Sequence, residues 1–325
     1  MSEKNQSCFR TSIGGQALIE GILMRGPQRQ AIVVRDQEGN LVEKTEELKL
    51  IRDRYPILGL PMIRGTVNFL DSMVKGVQAL MYSADFYPEE EAAQPSKFEL
   101  WLEKHLSSKA LEKAVIALAV AMGVGLSIFL FMVLPTFLTG GILHFFPDFP
   151  LWGRNVVEGV LKIAIFLVYL AMCSNMSDIK RVFQYHGAEH KTIFCYERGL
   201  PLTVENVRAQ SRFHPRCGTS FMILMLLVGI IIGLFIPLEQ PLLRTLIKLA
   251  LLPLTMGIGY ELIKFAGKHD NILTRIVSAP GVALQHLTTR EPDDGMIECA
   301  ILAFREVLPE GDPARTEEKD ISETK

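Results

Sequence analysis

Residues 186–190 read His-Gly-Ala-Glu-His, two histidines with an acid beside the second. Four residues apart on a helix, His186 and His190 fall on one face, where both imidazoles can reach a single metal ion. Glu189 could polarise water held by that ion without being a ligand itself, as a general base. The order H-x-x-E-H is that of the inverted zinc metalloproteases. Those proteases are soluble clamshell enzymes, so the five-residue string carries neither their fold nor their substrate.

More donors follow. His214-Pro215-Arg216-Cys217 supplies an imidazole and a thiol, and Glu261 a carboxylate. Zinc takes such mixed nitrogen, sulfur and oxygen ligands. A catalytic site would use three of them and keep one position open, whereas a closed set of four would be structural. The expected metal set is therefore His186 and His190, completed by His214, Cys217 or Glu261. A solvated helix face is the competing reading of the two histidines, and the intervening acid and the nearby His-x-x-Cys favour metal. Cys217 could instead act as a nucleophile paired with His214. Cys173 and Cys195 read as buried structural thiols. Five scattered cysteines without a C-x-x-C pair do not make a disulfide framework and fit a reducing compartment.

These donors need elements to carry them. The chain is 49% hydrophobic yet 22% charged, so its apolar residues must be gathered into segments. Four segments have the length and apolarity of membrane spans, roughly Ala114–Leu138, Val156–Cys173, Thr219–Ile236 and Leu242–Tyr260. Pro253 should kink the fourth, and Gly229-x-x-x-Gly233 would allow close helix packing in the third. Glu158, Lys162 and Lys248 fall inside or near the ends of spans and read as snorkelling groups or an internal pair. If the second span continues as a helix beyond the membrane, Asn175, Asp178, His186, Glu189 and His190 share about a third of its circumference. Asp178 is then a candidate acceptor for a ligand imidazole. Lysines and arginines cluster before the first span (Lys104, Lys109, Lys113), between the second and third, and after the fourth (Lys264, Lys268). The positive-inside rule then puts both termini and the central loop in the cytoplasm. The first residues hold no continuous apolar stretch of signal-peptide type, so insertion should use an internal span.

The expected fold is an α-helical polytopic membrane protein with about four transmembrane helices. A small cytoplasmic α/β portion is built from its N- and C-terminal segments. Residues 1–87 form the N-terminal α/β part. It contains a hairpin of Ala31–Val34 and Leu41-Val42 turning at Gly39-Asn40, and an amphipathic helix marked by Val67, Leu70, Val74, Val77 and Met81. That helix could lie along the membrane or pack on a soluble core. The glycine-rich Gly14–Pro27 reads as a bent strand and turn, or as a segment where Glu20 and Arg25 face a ligand. It is not a nucleotide loop. Residues 88–113 are a linker and pre-membrane helix. Residues 114–260 form the membrane region, with the loop 174–218 carrying both donor motifs. Residues 261–309 are a C-terminal segment with an amphipathic helix through Ile297, Ile301, Phe304 and Leu308, and 310–325 a disordered tail. The net charge of -2 gives no electrostatic case for nucleic acid, which leaves the lipid bilayer as the expected partner.

Four stretches in this order, GGQALIEGILMRGP, HGAEHK, SRFHPRCGTSF and TTREPDDGMIE, resemble the DUF1385 (YqhQ-like) family of bacterial membrane proteins, over nearly the whole chain. The resemblance implies a predicted metal-dependent enzyme of unstated reaction in the bacterial cytoplasmic (inner) membrane. The expected function is a membrane-embedded metalloenzyme of hydrolytic type, using a divalent metal such as zinc at the cytoplasmic membrane face. A non-catalytic scaffold or assembly factor with a structural metal is the alternative. Transport is disfavoured, because the spans lack mid-membrane His, Cys or Asp.

Overall fold

The computed structural model describes residues 11–48, 55–87, 108–238, 240–269 and 271–316. Cys8, the linker residues 88–97, Lys104 and the tail beyond Thr316 lie outside them. The chain divides into two compact units, one of residues 1–87, 170–228 and 253–325, the other of residues 88–169 and 229–252.

The first unit is built on a four-stranded antiparallel meander, β1 (Gly14–Leu18), β2 (Gly21–Arg25), β3 (Arg29–Arg35) and β4 (Leu41–Glu47). The two inner strands are apolar almost without a break, and the pairing shows why. Ile22 pairs with Val33 and Met24 with Ala31, while Leu23 pairs with Ile32 between them. With a side-chain period of two, Ile22, Met24, Ala31 and Val33 enter one core, and Leu23, Ile32 and Val34 enter another on the opposite face. Both faces are covered, so neither can alternate with polar residues. At the β3–β4 turn Gly39 has φ +89°, and Asp36 Oδ1 accepts from the Asn40 N–H at 2.8 Å. The expected hairpin therefore forms, in a longer sheet than expected.

On one face lies helix α1 (Ile63–Ala84), which contributes Ala79, with Tyr82 and Phe86 packed beside it. The buried residues of α1 are the small ones, Gly65, Gly76, Ala79 and Ser83. Part of its apolar stripe faces outward, with Leu70 52% and Val74 57% exposed, while Val67, Val77 and Met81 are half-buried. The glycine-rich segment is strand and turn. Glu20, at φ +49°, forms a two-oxygen ion pair with Arg181, and Arg25 Nη1 donates to Ser72 at 3.0 Å. Both side chains thus have protein partners.

In the second unit α2 (Ser108–Ile128) passes through a π turn, Phe129–Val133, into α3 (Leu134–Leu143). Pro135 has no N–H to return to Phe131 O, and the ladder slips so that Leu134 N reaches Phe129 O. The stretch Ala114–Leu143 and helix α4 (Leu151–Ser174) are each long and apolar enough to cross a membrane. Helix α4 does not continue into the motif, so the condition for one shared polar stripe is not met. Ser174 Oγ and Asn175 Nδ2 both donate to Ala171 O, drawing the last carbonyl out of the ladder. A new helix, α5 (Ser177–Glu197), starts after Met176 in extended conformation. The short α6 (Val204–Arg208) follows.

Four full-length spans are not seen among the described residues; there are two, or three if one bent pair counts as one. Helix α7 (Gly218–Leu234) is apolar but 17 residues long, short of the ~20 that a hydrocarbon core requires. The pair is α8 (Pro241–Ala250) and α9 (Leu252–Lys268), broken at Leu251, where Pro253 withholds an N–H as anticipated.

Helix α10 (Ile272–Thr288) had not been expected. Its start is signalled by a reciprocal box between Asn271 and Thr274, and Pro280 inside it disguises the period. Helix α11 (Asp294–Glu306) begins at the foreseen Pro292-Asp293-Asp294, capped by Asp293 Oδ1 accepting from Met296 N at 2.9 Å. Its Ile297, Ile301 and Phe304 enter the same core as α5 and the sheet. Residues 310–316 make specific contacts rather than forming a free tail. Asp312 accepts from the Tyr196 hydroxyl at 2.6 Å, and α12 (Pro313–Thr316) follows.

Candidate metal centre

Helix α5 lies along β1, and its carboxylates cap the outer edge of that strand. Glu189 Oε1 accepts from Gly15 N and Glu197 Oε1 from Thr11 N, each at 2.8 Å. These contacts fix the rotation of α5 and with it the face that bears the two histidines, whose rings stand 4.4 Å apart.

Both imidazoles are oriented by main-chain carbonyls. His186 Nδ1 lies 2.8 Å from Thr288 O, and His190 Nδ1 lies 2.5 Å from Arg212 O. A neutral ring that donates from Nδ1 must present a lone pair at Nε2. His186 Nε2 faces Cys217 Sγ at 3.1 Å. His190 Nε2 is buried and has no hydrogen-bond partner among the described residues. The three donor atoms of His186, His190 and Cys217 lie within 4.8 Å of one another. Tetrahedral zinc with bonds of about 2.0–2.3 Å draws its ligands to about 3.3–3.8 Å, so a small inward movement would complete the set. The donor types fit such an ion, and an unpartnered buried nitrogen is the kind of atom it would engage.

Between themselves, Cys217 and His186 favour a thiolate beside a protonated imidazole, a proton that a metal ion would displace. Burial alone would push the Cys217 thiol up, but His186 and His190 outweigh it and hold it well below its ordinary value. The backbone N–H and hydroxyl of Thr219, at the start of α7, also donate to Cys217 Sγ at 3.4 and 3.3 Å. Burial would lower His186, yet the facing Cys217 raises it to about 9. Glu189 is 4% exposed, and burial raises its carboxyl, offset in part by the two imidazoles.

The other two expected ligands lie elsewhere. His214 is near, its ring 5.5 Å from that of His190, but its Nδ1 accepts from Arg216 N and its Nε2 faces Glu197. Gln285 clamps its main chain, accepting from His214 N and donating to His214 O, both at 2.7 Å. Glu261 is not brought into the group, because Arg64 holds both its oxygens, Nε to Oε1 at 2.7 Å and Nη2 to Oε2 at 2.5 Å. Asp178 is exposed and takes the Ser177 hydroxyl, so the carbonyls of Thr288 and Arg212 do the orienting assigned to it. Cys195, buried with Sγ 3.4 Å from Pro201 O, fits the structural thiol expected.

Sequence reasoning marked the Thr288–Pro292 segment only by its resemblance and missed its contacts. Arg290 N donates to Phe183 O at 2.8 Å, which lays this segment directly on α5. Gly187 allows the approach, since a Cβ there would stand 2.0 Å from Arg290 O. Glycine inside the motif was the available signal. The carbonyl contacts had none, because every residue carries a carbonyl.

Glu197 anchors the loop that delivers Cys217. It takes Arg216 on both oxygens besides Thr11 N. Burial would raise this carboxyl, but His214 and Arg216 prevail and hold it below the ordinary range. A depressed folded value stabilises above the unfolded pKa, about 4.3, and that stability is lost as pH falls through the folded value. Urea unfolding of wild type and Glu197→Gln should therefore differ most at pH 7 and converge as pH falls through that depressed folded value. A gap that persists in acid would count against this role.

The chain resembles known proteins in two comparisons. A family described as "Protein of unknown function (DUF1385)" matches residues 60–310. A Bacillus subtilis (strain 168) protein, "Uncharacterized protein YqhQ", is 34% identical over 302 residues, covering 91% of this chain and 92% of that one. No solved structure matches. With the family's match extending from α1 through the two histidines and Cys217 to the end of α11, the chain belongs to the DUF1385 family.

Proposed function

We propose that this protein is a membrane-embedded metal-dependent enzyme of hydrolytic type. A divalent ion, zinc by its donor set, would be held by His186 Nε2, His190 Nε2 and Cys217 Sγ. The observation that carries this reading is His190, whose Nδ1 is committed to Arg212 O while its buried Nε2 faces the other two donors with no partner of its own. Three protein ligands, with His214 turned to Glu197, favour an open position and hence catalysis over a structural clip. When bound, such an ion supplies Lewis acidity and lowers the pKa of adjacent water. Glu189 keeps one oxygen on Gly15 N–H and would accept and return a proton at the other, its raised pKa matching that task.

The distribution of lysine and arginine supports a four-span arrangement in the bacterial inner membrane, with both termini and the metal centre on the cytoplasmic side. The outward part of the apolar stripe of α1 fits a helix resting on that surface.

Mass spectrometry of detergent-purified protein tests the reading. Wild type should carry one zinc per chain, retained by Glu189→Gln and lost in His186→Ala, His190→Ala and Cys217→Ala. A metal-free wild type after reconstitution with zinc, iron and manganese would sink it. The 3.1 Å contact of His186 with Cys217 favours a second reading, a metal-free cysteine nucleophile. Rapid alkylation of Cys217 that chelators leave unchanged would support that reading.

A further inference from the structure

The second unit holds a charged group that the metal centre does not use. Glu158 and Lys162 of α4 and Arg244 and Lys248 of α8 line one cavity, with Gly159 and Gly233 in its wall. The carboxylate of Glu158 is fully engaged. Arg244 Nε donates to Oε2 at 2.9 Å, while Oε1 receives the Lys248 ammonium and, at 2.8 Å, the Thr136 hydroxyl. Arg244 is fully buried and also donates to Asn155 Oδ1 at 2.5 Å and Leu238 O at 2.9 Å. Lys162 stands one helical turn from Glu158, yet among the described residues no carboxylate forms an ion pair with it.

The formal charges are thus three positive against one negative. Arginine stays charged in a protein, so Arg244 alone balances Glu158 and the two lysines bring the excess. Lys162 lies midway along the 24-residue α4, one of the helices fit to cross a membrane. An uncompensated ammonium at such a depth is costly, and a counter-charge would relieve it. The cavity, about 10 Å³, has room for roughly one water-sized particle, too little for a phosphate or a larger organic acid.

We infer that this cavity binds a halide-sized anion, held by Lys162 and Lys248 with Arg244 behind them. The site is independent of the metal centre and of the reaction proposed there. The wall is open at Gly233, where the nearest atom to an added Cβ is Lys248 Cε at 4.0 Å, whereas at Gly159 Ile230 already fills the space, 2.7 Å from such a carbon.

The test is equilibrium dialysis of radiolabelled chloride against full-length protein in detergent with gluconate as the background salt. Saturable single-site binding is expected, displaced by bromide and not by gluconate. Lys162→Met should weaken it by about tenfold or more, the loss of one close charge partner, while Lys162→Arg retains it. The absence of saturable binding in wild type would overturn the inference, since the lysines would then be neutral. Equal binding by a folded Lys162→Met would also overturn it, by placing the ion elsewhere. Should Lys162→Met fail to fold, wild type decides alone. Its unfolding temperature should be higher in chloride or bromide than in gluconate at equal ionic strength, and no difference would refute the site.

Discussion

Gly187→Ala is expected to empty the metal centre although no proposed ligand is touched. The new methyl carbon would stand 2.0 Å from Arg290 O, and Arg290 is tied to α5 through its own N–H to Phe183 O. A backbone oxygen fixed in this way cannot swing aside as a side-chain tip can. Alanine gains about 1 kcal/mol of helix propensity over glycine. Overpacking a tight contact costs about 1–3 kcal/mol or more, and the hydrogen bond displaced with it about another 1 kcal/mol. The clash therefore wins. Thr288, two residues before Arg290, would move with the segment, and His186 would lose the carbonyl that fixes its Nδ1. Metal content and unfolding temperature of the purified variant check this, with Gly14→Ala as control because nothing lies within 4 Å of its added carbon. Wild-type metal content in Gly187→Ala would show that the segment does not govern the site.

Glu158→Gln should be among the most destabilising conservative substitutions in the second unit. It removes the carboxylate that the buried Arg244 guanidinium and Lys248 ammonium share as their protein counter-charge. Breaking a buried ion pair from one side costs about 3–5 kcal/mol, far more than the pair contributes against an apolar replacement. Thermal unfolding in detergent should show a large fall for Glu158→Gln, with part of it recovered in the double variant that adds Lys248→Met. If the double variant is less stable than the single, the loss arises from packing and not from stranded charge. The sequence reading left Glu158 as a snorkelling group or one half of an internal pair, with Lys162 one turn away. Its partners instead come from α8, nearly ninety residues away.

The sequence by itself determined much of this protein. Length and apolarity marked spans near Ala114–Leu138 and Val156–Cys173, inside the helices observed there, the apolar run Ala31–Val34 with the turn at Gly39-Asn40 marked the β3–β4 hairpin, and the spacing of His186 and His190 marked one helix face. Each is a local pattern, fixed by 3.6- or 2-residue periods and by chain length. What tertiary structure alone decided was which donors meet. His214 and Cys217 are three residues apart and equally plausible as ligands, yet Cys217 turns to His186 while Glu197, Arg216 and Gln285 hold His214 away. Glu261 looked available until Arg64, from a helix nearly two hundred residues earlier, took both its oxygens. The break at Asn175 and the carbonyls of Thr288 and Arg212 were equally hidden. The physical reason is common to all. Backbone groups are the same at every position, and a charged side chain takes the partner nearest in space, whose distance along the chain no local period encodes.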